Sequence, residues 1–387
     1  MSGAGSDQGK NPTVVGIFPG LLGFGGVQEA SRQLVGALTG ILERRGWHGT
    51  FLGLNDSAGL QTLSVEDQKI EFRGYDRAKF RLSFDAALLA LKKPSIVIAA
   101  HPNLAPPARW MKRISRAMKT IVLCHGVDVW ERLPPSRREA LVRADLVLAP
   151  STHTADKLVN VQGVSAERIR VLPWPVNAAL MRMAERPSDL TLPARFPKGR
   201  VILTVGRWAT SEQYKGADKL IEAMPELLRA FRGLQLVAVG SGDDLPRLKG
   251  IAERLKVSHA VHFLEGLSRE ELAACYAHSE IFALPSTGEG FGIVFLEAMA
   301  FGLPVVGVAA GGVTDIVQDG VNGLLVSGGD QPSLTAALQQ LLQDATLRSR
   351  LGNNGAEMVR QKYQFTSFER GLEAILIGCG LDSVGSA

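Results

Sequence analysis

Short, continuously apolar runs alternate with stretches of helical periodicity along this chain of 387 residues. Strands that are apolar on both faces and separated by helices are typical of parallel sheets covered by helices. The alternation therefore predicts an α/β fold. The predicted strands are residues 14–18, 50–54, 96–99, 120–124, 146–149 and 169–172 in the first half, and 201–205, 234–239, 261–263, 281–284 and 305–308 in the second.

The alternation is interrupted at residues 173–200 by a proline-rich segment. Because proline clusters between periodic segments mark linkers, we predict two doubly wound parallel-sheet domains, at residues 1–178 and 179–362. Residues 363–387 are expected to form a C-terminal helix that packs back on the first domain. Ligands of open α/β sheets bind at the carboxyl ends of the strands, so a central cleft faced by both domains is the expected binding place.

Composition narrows the class of protein. Apolar residues make up 45% of the chain and three cysteines occur, which is typical of a globular protein without a disulfide framework or zinc knuckle. The N-terminal residues lack the apolar core of a secretory signal. The apolar stretch at residues 293–310 contains a Gly-Leu-Pro triplet, so it is predicted to be a buried helix followed by a buried strand, not a membrane span. We expect a soluble, cytoplasmic protein.

A glycine-rich loop, residues 19–26, follows the first predicted strand and leads into a helix expected to begin near Val27. The adjacent Gly25 and Gly26 would let the backbone approach a ligand closely and would leave helix N–H groups for an anion or a sugar oxygen. The loop is not a dinucleotide fingerprint, because Glu29 stands where glycine is required, and it is not a Walker A loop. A plain strand-to-helix turn is an equal alternative.

A histidine, His125, follows the strand predicted at residues 120–124. A side chain at the carboxyl end of a parallel strand lies where ligands bind, and an imidazole can donate, accept or carry a proton near neutral pH. We favour a functional role over the alternative of a histidine bonded to neighbouring backbone.

Two permanent cations, Arg207 and Lys215, follow the first strand of the second domain and precede a helix. A guanidinium and an ammonium that converge at the start of a helix would form a clamp for a diphosphate. The alternative for each residue is a surface ion pair.

The most informative segment is residues 286–306, where Glu289 lies in a glycine-rich loop and Glu297 lies inside the following helix. Burying Glu297 on such an apolar helix is costly unless its carboxylate accepts hydrogen bonds, and the paired hydroxyls of a ribose or hexose are suitable donors. The N–H groups of Gly292 and Ile293 at the helix N-terminus would meet phosphate or sugar oxygens.

Glu289 and Glu297 match the E-x7-E motif of the large retaining GT-B glycosyltransferase family numbered four, which this chain resembles over nearly its whole length. The segment EGFGIVFLEAMAFGLPVV, the upstream Gly-Arg and Lys-Gly pairs, the N-terminal Gly-Gly loop and residues 239–242 and 264–276 carry the resemblance. It implies two Rossmann-like domains. It also implies transfer of a hexose from a nucleotide diphosphate sugar (GDP-mannose or a UDP-hexose) to a lipid-linked, glycan or other hydroxyl acceptor in bacterial surface polysaccharide or glycolipid assembly.

The resemblance also implies roles for individual residues. Arg207 and Lys215 would neutralise the donor diphosphate, and Glu297 would hold the nucleotide ribose. Glu289 would contact the transferred sugar, and His125 would lie against the same sugar. The other donor-binding residues that the resemblance implies are Gly25, Gly26, Gly240, Gly242, Leu264, Gly290, Phe291, Gly292, Ile293 and Val294.

The chain contains no Asp-x-Asp triplet, so a metal-bridged diphosphate is not expected. The Arg–Lys pair would supply the positive charge instead. The resemblance implies retention of anomeric configuration. We expect a front-side, ion-pair-like displacement in which the leaving phosphate takes the acceptor proton, rather than a covalent intermediate on Glu289. No cofactor and no metal are expected.

A basic stretch with an apolar side covers residues 107–119, in a first half (residues 1–195) that carries 26 Lys and Arg against 17 Asp and Glu. Such a stretch suits an anionic membrane surface or a lipid-diphosphate acceptor, and would place the protein on the inner face of the cell membrane. The alternative is a covering helix whose apolar stripe lies in the core. The patch residues are Arg109, Trp110, Lys112, Arg113, Arg116 and Lys119.

Two other classes of function stay open. An epimerase of nucleotide sugars on the same fold is disfavoured by the intact E-x7-E pattern. A non-catalytic binder of nucleotide sugar or nucleic acid is disfavoured by the retained polar site residues and by the lack of an interleaved aromatic and basic motif. The expected partners are therefore a nucleotide sugar and a carbohydrate or lipid-linked acceptor, and no nucleic acid.

Overall fold

The computed structural model describes residues 11–23, 25–65 and 68–381. Predictions that concern residues 1–10, Phe24 of the glycine loop and residues 382–387 lie outside this range. The chain divides into two compact units, Met1–Pro173 with Phe365–Ala387 and Trp174–Gln364.

The first unit contains a sheet of eight strands. In chain order they are β1 (Thr13–Phe18), β2 (His48–Gly53), β3 (Gly59–Val65), β4 (Gln68–Gly74), β5 (Ile96–Ala99), β6 (Lys119–Leu123), β7 (Leu146–Ala149) and β8 (Ile169–Val171). Their spatial order is β3-β4-β2-β1-β5-β6-β7-β8. Neighbouring strands in the described residues are parallel, apart from the antiparallel hairpin of β3 and β4.

Helices of the first unit cover this sheet. The interior strands β5 and β7 are buried along their whole length, as expected for strands with helices on both faces. The first helix buries Leu34, Leu38 and Ile41 on one face and ends at Gly46, whose left-handed conformation suits glycine. In chain order these helices are α1 (Gly26–Arg45), α2 (Lys79–Leu91), α3 (Ala105–Ile114), α4 (Pro135–Val142) and α5 (Thr152–Lys157).

The second unit contains a six-stranded parallel sheet with eight helices in its described residues. The strands are β9 (Arg200–Val205), β10 (Leu234–Val239), β11 (Val261–Leu264), β12 (Ile281–Leu284), β13 (Val305–Val308) and β14 (Gly323–Val326), in the spatial order β11-β10-β9-β12-β13-β14. The helices are α6 (Ala178–Glu185), α7 (Ala217–Ala230), α8 (Leu245–Arg254), α9 (Arg269–Ala277), α10 (Ile293–Ala300), α11 (Val313–Ile316), α12 (Gln331–Gln343) and α13 (Ala345–Lys362).

A last helix, α14 (Phe365–Gly378), returns to the first unit and packs on α1. Ion pairs join these helices: Arg44 lies 2.9 Å from Glu369 and 3.2 Å from Glu373, and Arg45 lies 2.6 Å from Glu373. The last helix therefore completes a unit that begins with the first strand.

The parallel-sheet α/β class is confirmed, and each predicted strand corresponds to an observed one. Residues 293–310 form α10 and β13, as predicted. The prediction missed β3, β4 and β14, and it treated residues 173–200 as a linker although they include α6. Among the described residues, no helix is both long enough and apolar enough to cross a membrane.

Candidate active site

Neighbouring strands of the second unit end at one edge of the sheet, and their loops are hydrogen-bonded to one another. After β9, the N–H of Gly206 donates to the carbonyl of Val239 at 3.0 Å, and the N–H of Trp208 donates to that of Ser241 at 2.9 Å. A Cβ at Gly240 would collide with the carbonyl oxygen of Gly206. The two loops therefore touch backbone to backbone, which requires glycine.

The loop after β9 also meets the loop after β12. The N–H of Thr287 donates to the carbonyl of Tyr214 at 2.9 Å. A Cβ at Gly216, which has a φ of +73°, would lie 2.6 Å from the carbonyl oxygen of Pro285. This close fit fixes the segment before α7 against the glycine-rich loop that carries Glu289.

The two predicted clamp cations lie in one cluster with two carboxylates. The Lys215 Nζ lies 2.9 Å from Oε1 of Glu289 and 3.8 Å from Oε2 of Glu212, and its side chain is 15% exposed. Arg207 also pairs with Glu212, and its side chain is 70% exposed. The sequence prediction missed Glu212. Its position three residues before Lys215, in the polar loop, was the available signal.

The second predicted carboxylate, that of Glu297, is hydrogen-bonded to a buried tyrosine. The Tyr276 hydroxyl of α9 donates to Oε2 of Glu297 at 2.9 Å. Burial, and then the nearby carboxylate, raises the pKa of Tyr276 well above its usual range, so the phenol keeps its proton and donates. Tyr276 thus supplies a hydrogen bond that the half-buried carboxylate of Glu297 requires. The sequence prediction gave Tyr276 no role.

The other predicted donor-binding residues of this unit lie on the same loops. Gly292 has a φ of +91° and immediately precedes α10, which starts with the half-buried Ile293 and Val294. The carbonyl of Glu289 accepts from the N–H of Gly312 at 2.8 Å, which closes the loop behind it. The backbone of Leu264 accepts from the N–H of Gly240 at 2.9 Å. Three residues complete the set. Gly290 and Phe291 are buried on the loop before α10, and Gly242 is half-buried at a place where a Cβ would collide with the Trp208 carbonyl.

In the first unit, the glycine-rich loop is held by charges of the protein itself. The Asp56 carboxylate, only 4% exposed, accepts the N–H groups of Leu21 and Leu22 at 2.9 Å. Arg32 donates to the carbonyls of Leu21 at 3.0 Å and Gly23 at 2.7 Å. Gly25 and Gly26 follow as exposed residues at the start of α1. The prediction missed Asp56, although an acidic residue just past the neighbouring strand β2 was a signal.

The ring of His125 lies at the carboxyl ends of β5 and β6. Its Nε2 is 2.8 Å from the carbonyl oxygen of Ala100, so the predicted position and the alternative backbone bond are both observed. The Asp128 carboxylate accepts a hydrogen bond from the backbone N–H of His125 at 3.0 Å, which stabilises the turn after β6. The ring of His101 stacks on that of His125 at 5.5 Å, and burial lowers the pKa of His101 to about 4 although Asp128 opposes the shift.

The predicted basic patch divides into two parts. Arg109 pairs with Glu139 at 2.6 Å, and both Lys112 and Lys119 pair with Asp145, at 3.2 and 3.7 Å. The remaining patch residues, Trp110, Arg113 and Arg116, are exposed, and the Arg113 guanidinium lies 5.1 Å from the Trp110 ring centroid. The stretch is therefore both a covering helix, with buried Met111 and Met118, and a smaller exposed patch.

Both units match known families. Residues 193–358 match the family described as glycosyl transferases group 1, and residues 25–180 match the one described as Glycosyltransferase Family 4. A GDP-mannose-dependent alpha-(1-6)-phosphatidylinositol monomannoside mannosyltransferase of Mycolicibacterium smegmatis is 31% identical over 69% of this chain and 72% of that protein. A D-inositol 3-phosphate glycosyltransferase of Acidothermus cellulolyticus is 34% identical over 63% of this chain and 57% of that protein.

The fold has close counterparts among solved structures. Sucrose-phosphate synthase from Thermosynechococcus elongatus superposes with a TM-score of 0.75 at 22% identity, over 95% of this chain and 99% of that chain. The two α/β units thus have the fold of the GT-B glycosyltransferases. The chain belongs to the group 1, family 4 glycosyltransferases. The predicted family, fold class and class of reaction, glycosyl transfer, are confirmed.

Proposed function

We propose that this glycosyltransferase moves a hexose from a nucleotide diphosphate sugar, GDP-mannose or a UDP-hexose, to a hydroxyl of a lipid-linked or glycan acceptor. The transfer retains anomeric configuration and needs no metal ion. The observation that carries the proposal is the cluster of Arg207, Lys215 and Glu289 at one sheet edge. The mannosyltransferase and inositol phosphate glycosyltransferase names of the relatives support the choice of donor and of a polyol or lipid acceptor.

In this proposal the two cations bind the donor diphosphate. Negative charge accumulates on the diphosphate as the bond to the sugar breaks, and a preorganised ammonium stabilises that charge most where water is partly excluded. The Lys215 side chain is largely shielded from solvent, whereas Arg207 is open to it. Lys215 would therefore act on the departing phosphate, and Arg207 would exchange its ion pair with Glu212 for a phosphate oxygen.

The two glutamates would divide the donor between them. Because Glu289 is hydrogen-bonded to Lys215, it lies beside the diphosphate in this arrangement and can accept from hydroxyls of the transferred sugar. Glu297 is fixed by Tyr276 and would accept from the ribose hydroxyls. The phenol keeps the carboxylate in one orientation, which reduces the conformational entropy lost on binding.

The chemical step balances without a metal or a covalent enzyme intermediate. The bond between the anomeric carbon and the diphosphate oxygen breaks, and a bond from that carbon to the acceptor oxygen forms on the same face. The acceptor proton passes to the leaving phosphate oxygen. Arg207 and Lys215 supply the electrostatic stabilisation that a divalent ion would otherwise give. The role of His125 stays a prediction.

We also propose that the protein acts peripherally at the inner face of the cell membrane. The exposed residues Trp110, Arg113 and Arg116 support this, because an aromatic ring with adjacent guanidinium groups suits the interface of an anionic bilayer.

The test measures nucleotide release from GDP-mannose, UDP-glucose, UDP-galactose and UDP-N-acetylglucosamine, each with and without a phosphatidylinositol-based acceptor. We expect acceptor-dependent release from one donor, a product with the donor's anomeric configuration by NMR, and full activity in excess EDTA. Inversion would refute the retaining mechanism, and loss of activity restored by magnesium or manganese would refute metal independence. Interconversion of the nucleotide sugar without acceptor would replace the proposal by an epimerase.

A further inference from the structure

One face of α2 exposes large apolar side chains to solvent. Phe80 is 95% exposed, Phe84 64%, Leu88 47% and Leu91 65%. Residues three and four positions apart lie on one side of a helix, and at 3.6 residues per turn these four fall within an arc of about 80°. They form a continuous stripe rather than scattered exposed residues.

The opposite side of the same helix is apolar as well. Leu82, Ala86 and Ala90 are buried in the core of the first unit. A helix that covers a sheet normally presents polar residues outward. One apolar side of α2 packs on the core, and the fold of the first unit does not account for the second, exposed one.

Helix α3 extends the exposed stripe. It packs beside α2, and its buried residue Met111 belongs to the same core as Leu82, so both helices cover the same face of the sheet. Trp110 and Ile114 point outward, 63% and 43% exposed. We name the resulting surface the α2–α3 face. Half of the twelve exposed large apolar residues in the described chain belong to it: Phe80, Phe84, Leu88, Leu91, Trp110 and Ile114.

Exposed cations border the α2–α3 face. Residues 76–93 carry five Lys and Arg against two Asp. One of these acids, Asp85, accepts a hydrogen bond from Tyr75 at 2.9 Å and pairs with Arg73. The exposed cations lie at both ends of α2 and at the end of α3: Arg77, Lys79, Arg81, Lys92, Lys93, Arg113 and Arg116.

We infer that the α2–α3 face docks on an anionic lipid bilayer, with its apolar side chains among the acyl chains and its cations at the headgroup phosphates. Exposed apolar patches with a charged border mark interaction sites. Amphipathic surfaces bind at bilayer interfaces because their apolar side chains enter the acyl region while their cations meet the anionic headgroups. A second copy of the chain is a poorer occupant, because a symmetric interface would bring two cationic borders together. The inference rests on the proposed function, since it names the surface at which a lipid-linked acceptor is met.

The experiment is co-sedimentation of the full chain with phosphatidylcholine vesicles, with and without about one third phosphatidylglycerol. The variant Phe80→Ser/Phe84→Ser is compared with Leu60→Ser, which removes an equally exposed leucine (69%) from β3. We expect the double variant to lose roughly tenfold or more in vesicle partitioning, and Leu60→Ser to behave as wild type. A second variant, Arg113→Glu/Arg116→Glu, should lose its preference for the anionic vesicles.

Three results would overturn the inference. These are no vesicle binding by the wild type, wild-type partitioning of both double variants, and a wild-type dimer in sedimentation equilibrium that Phe80→Ser/Phe84→Ser converts to monomer without changing vesicle binding. Turnover of donor with a water-soluble acceptor is measured alongside and should be unchanged in Phe80→Ser/Phe84→Ser. A protein that binds vesicles but never releases nucleotide contradicts the proposed function and leaves the docking face intact. One that turns over but ignores vesicles contradicts the docking face and the proposed membrane association, and leaves the proposed transferase activity intact.

Discussion

Two glycine-rich turns of this molecule share a local design and differ in how they use charge. Each leaves the carboxyl end of a parallel strand and enters a helix through a glycine of positive φ, Gly25 at +131° and Gly292 at +91°. In the first turn, the Asp56 carboxylate and the Arg32 guanidinium bind the backbone of the turn itself. In the second, the carboxylate of Glu289 binds the side chain of Lys215.

The difference separates a charge that shapes a loop from one that can serve a ligand. The Asp56 carboxylate accepts the buried N–H of Leu21 and the partly buried N–H of Leu22. Because its loss would leave a buried donor unsatisfied, Asp56 is committed to structure. An ion pair between two side chains can exchange one partner for a phosphate or a hydroxyl at much smaller cost. The same strand–glycine–helix pattern thus carries an exchangeable charge in the second turn and a fixed charge in the first.

The largest effect should come from the exchangeable charges. Lys215→Ala and Arg207→Ala should each lower kcat by about two to three orders of magnitude, because each removes a stabiliser of the leaving diphosphate. Lys219→Ala is the matched control, since Lys219 pairs with Glu222, one turn along the same helix, at 2.8 Å in a partly exposed ion pair. Steady-state kinetics at saturating donor test this, and near-wild-type kcat in either variant would contradict the clamp.

The carboxylate of Asp56 should affect the free energy of unfolding rather than the rate of transfer. Asp56→Ala leaves the N–H groups of Leu21 and Leu22 without their acceptor, and we expect a loss of about 2–4 kcal/mol in the free energy of unfolding. Asp156→Ala, at an exposed position of α5, is the control. Urea denaturation followed by circular dichroism measures both. Equal stability of the two variants would mean that Asp56 does not hold the turn.

The two glutamates of the second unit should differ in the step that they affect. Glu297→Gln should weaken binding of the bare nucleoside diphosphate by about 1–3 kcal/mol, because it replaces one acceptor oxygen by a donor at the ribose. Glu289→Gln should leave that binding nearly unchanged and lower kcat with the whole nucleotide sugar. Isothermal titration calorimetry beside kinetics distinguishes them. Should Glu289→Gln weaken the bare nucleotide as much, the two roles are wrong.

The smallest effect concerns the glycines at the start of α1. Gly25→Ala should lose about 1–2 kcal/mol of stability, because an L-residue is strained at its φ of +131°. Its Cβ would also lie 2.7 Å from Oε1 of Gln28. A Cβ at Gly26 meets nothing within 4 Å, so Gly26→Ala should be neutral in thermal unfolding. A destabilisation of equal size at both positions would show that φ is not the cause.

The parallel strands and the second-unit site were readable in the sequence because each has a strong local signal. Buried strands such as β5 are apolar at every position, and the two glutamates stand in a glycine-rich context with fixed spacing. The hairpin of β3 and β4 was missed because β3 is exposed or half-buried along its length and β4 is buried only at alternate positions. Neither strand therefore contains an apolar run, although both form one edge of the sheet.

The missed site residues are those whose partners come from distant parts of the chain. Tyr276 reaches Glu297 only because α9 and α10 flank the same strand, and Asp56 reaches Leu21 only because β1 and β2 are neighbours. Nothing in its local sequence distinguishes Tyr276 from an ordinary core tyrosine. The position of Asp56 just past β2 is a signal, but it does not identify the loop that the carboxylate binds. The exposed stripe of α2 was overlooked for a different reason, because a helix with apolar residues on two opposite sides is expected to be buried.

The return of α14 to the first unit bears on the order in which the protein folds during synthesis. The second unit, Trp174–Gln364, is continuous and can fold once residue 364 has emerged, since domains fold as units as the chain is made. The first unit is complete only when residues 365–378 have been made, because they cover α1 and supply the partners of Arg44 and Arg45. The half of the protein that is translated first is therefore the half that is completed last.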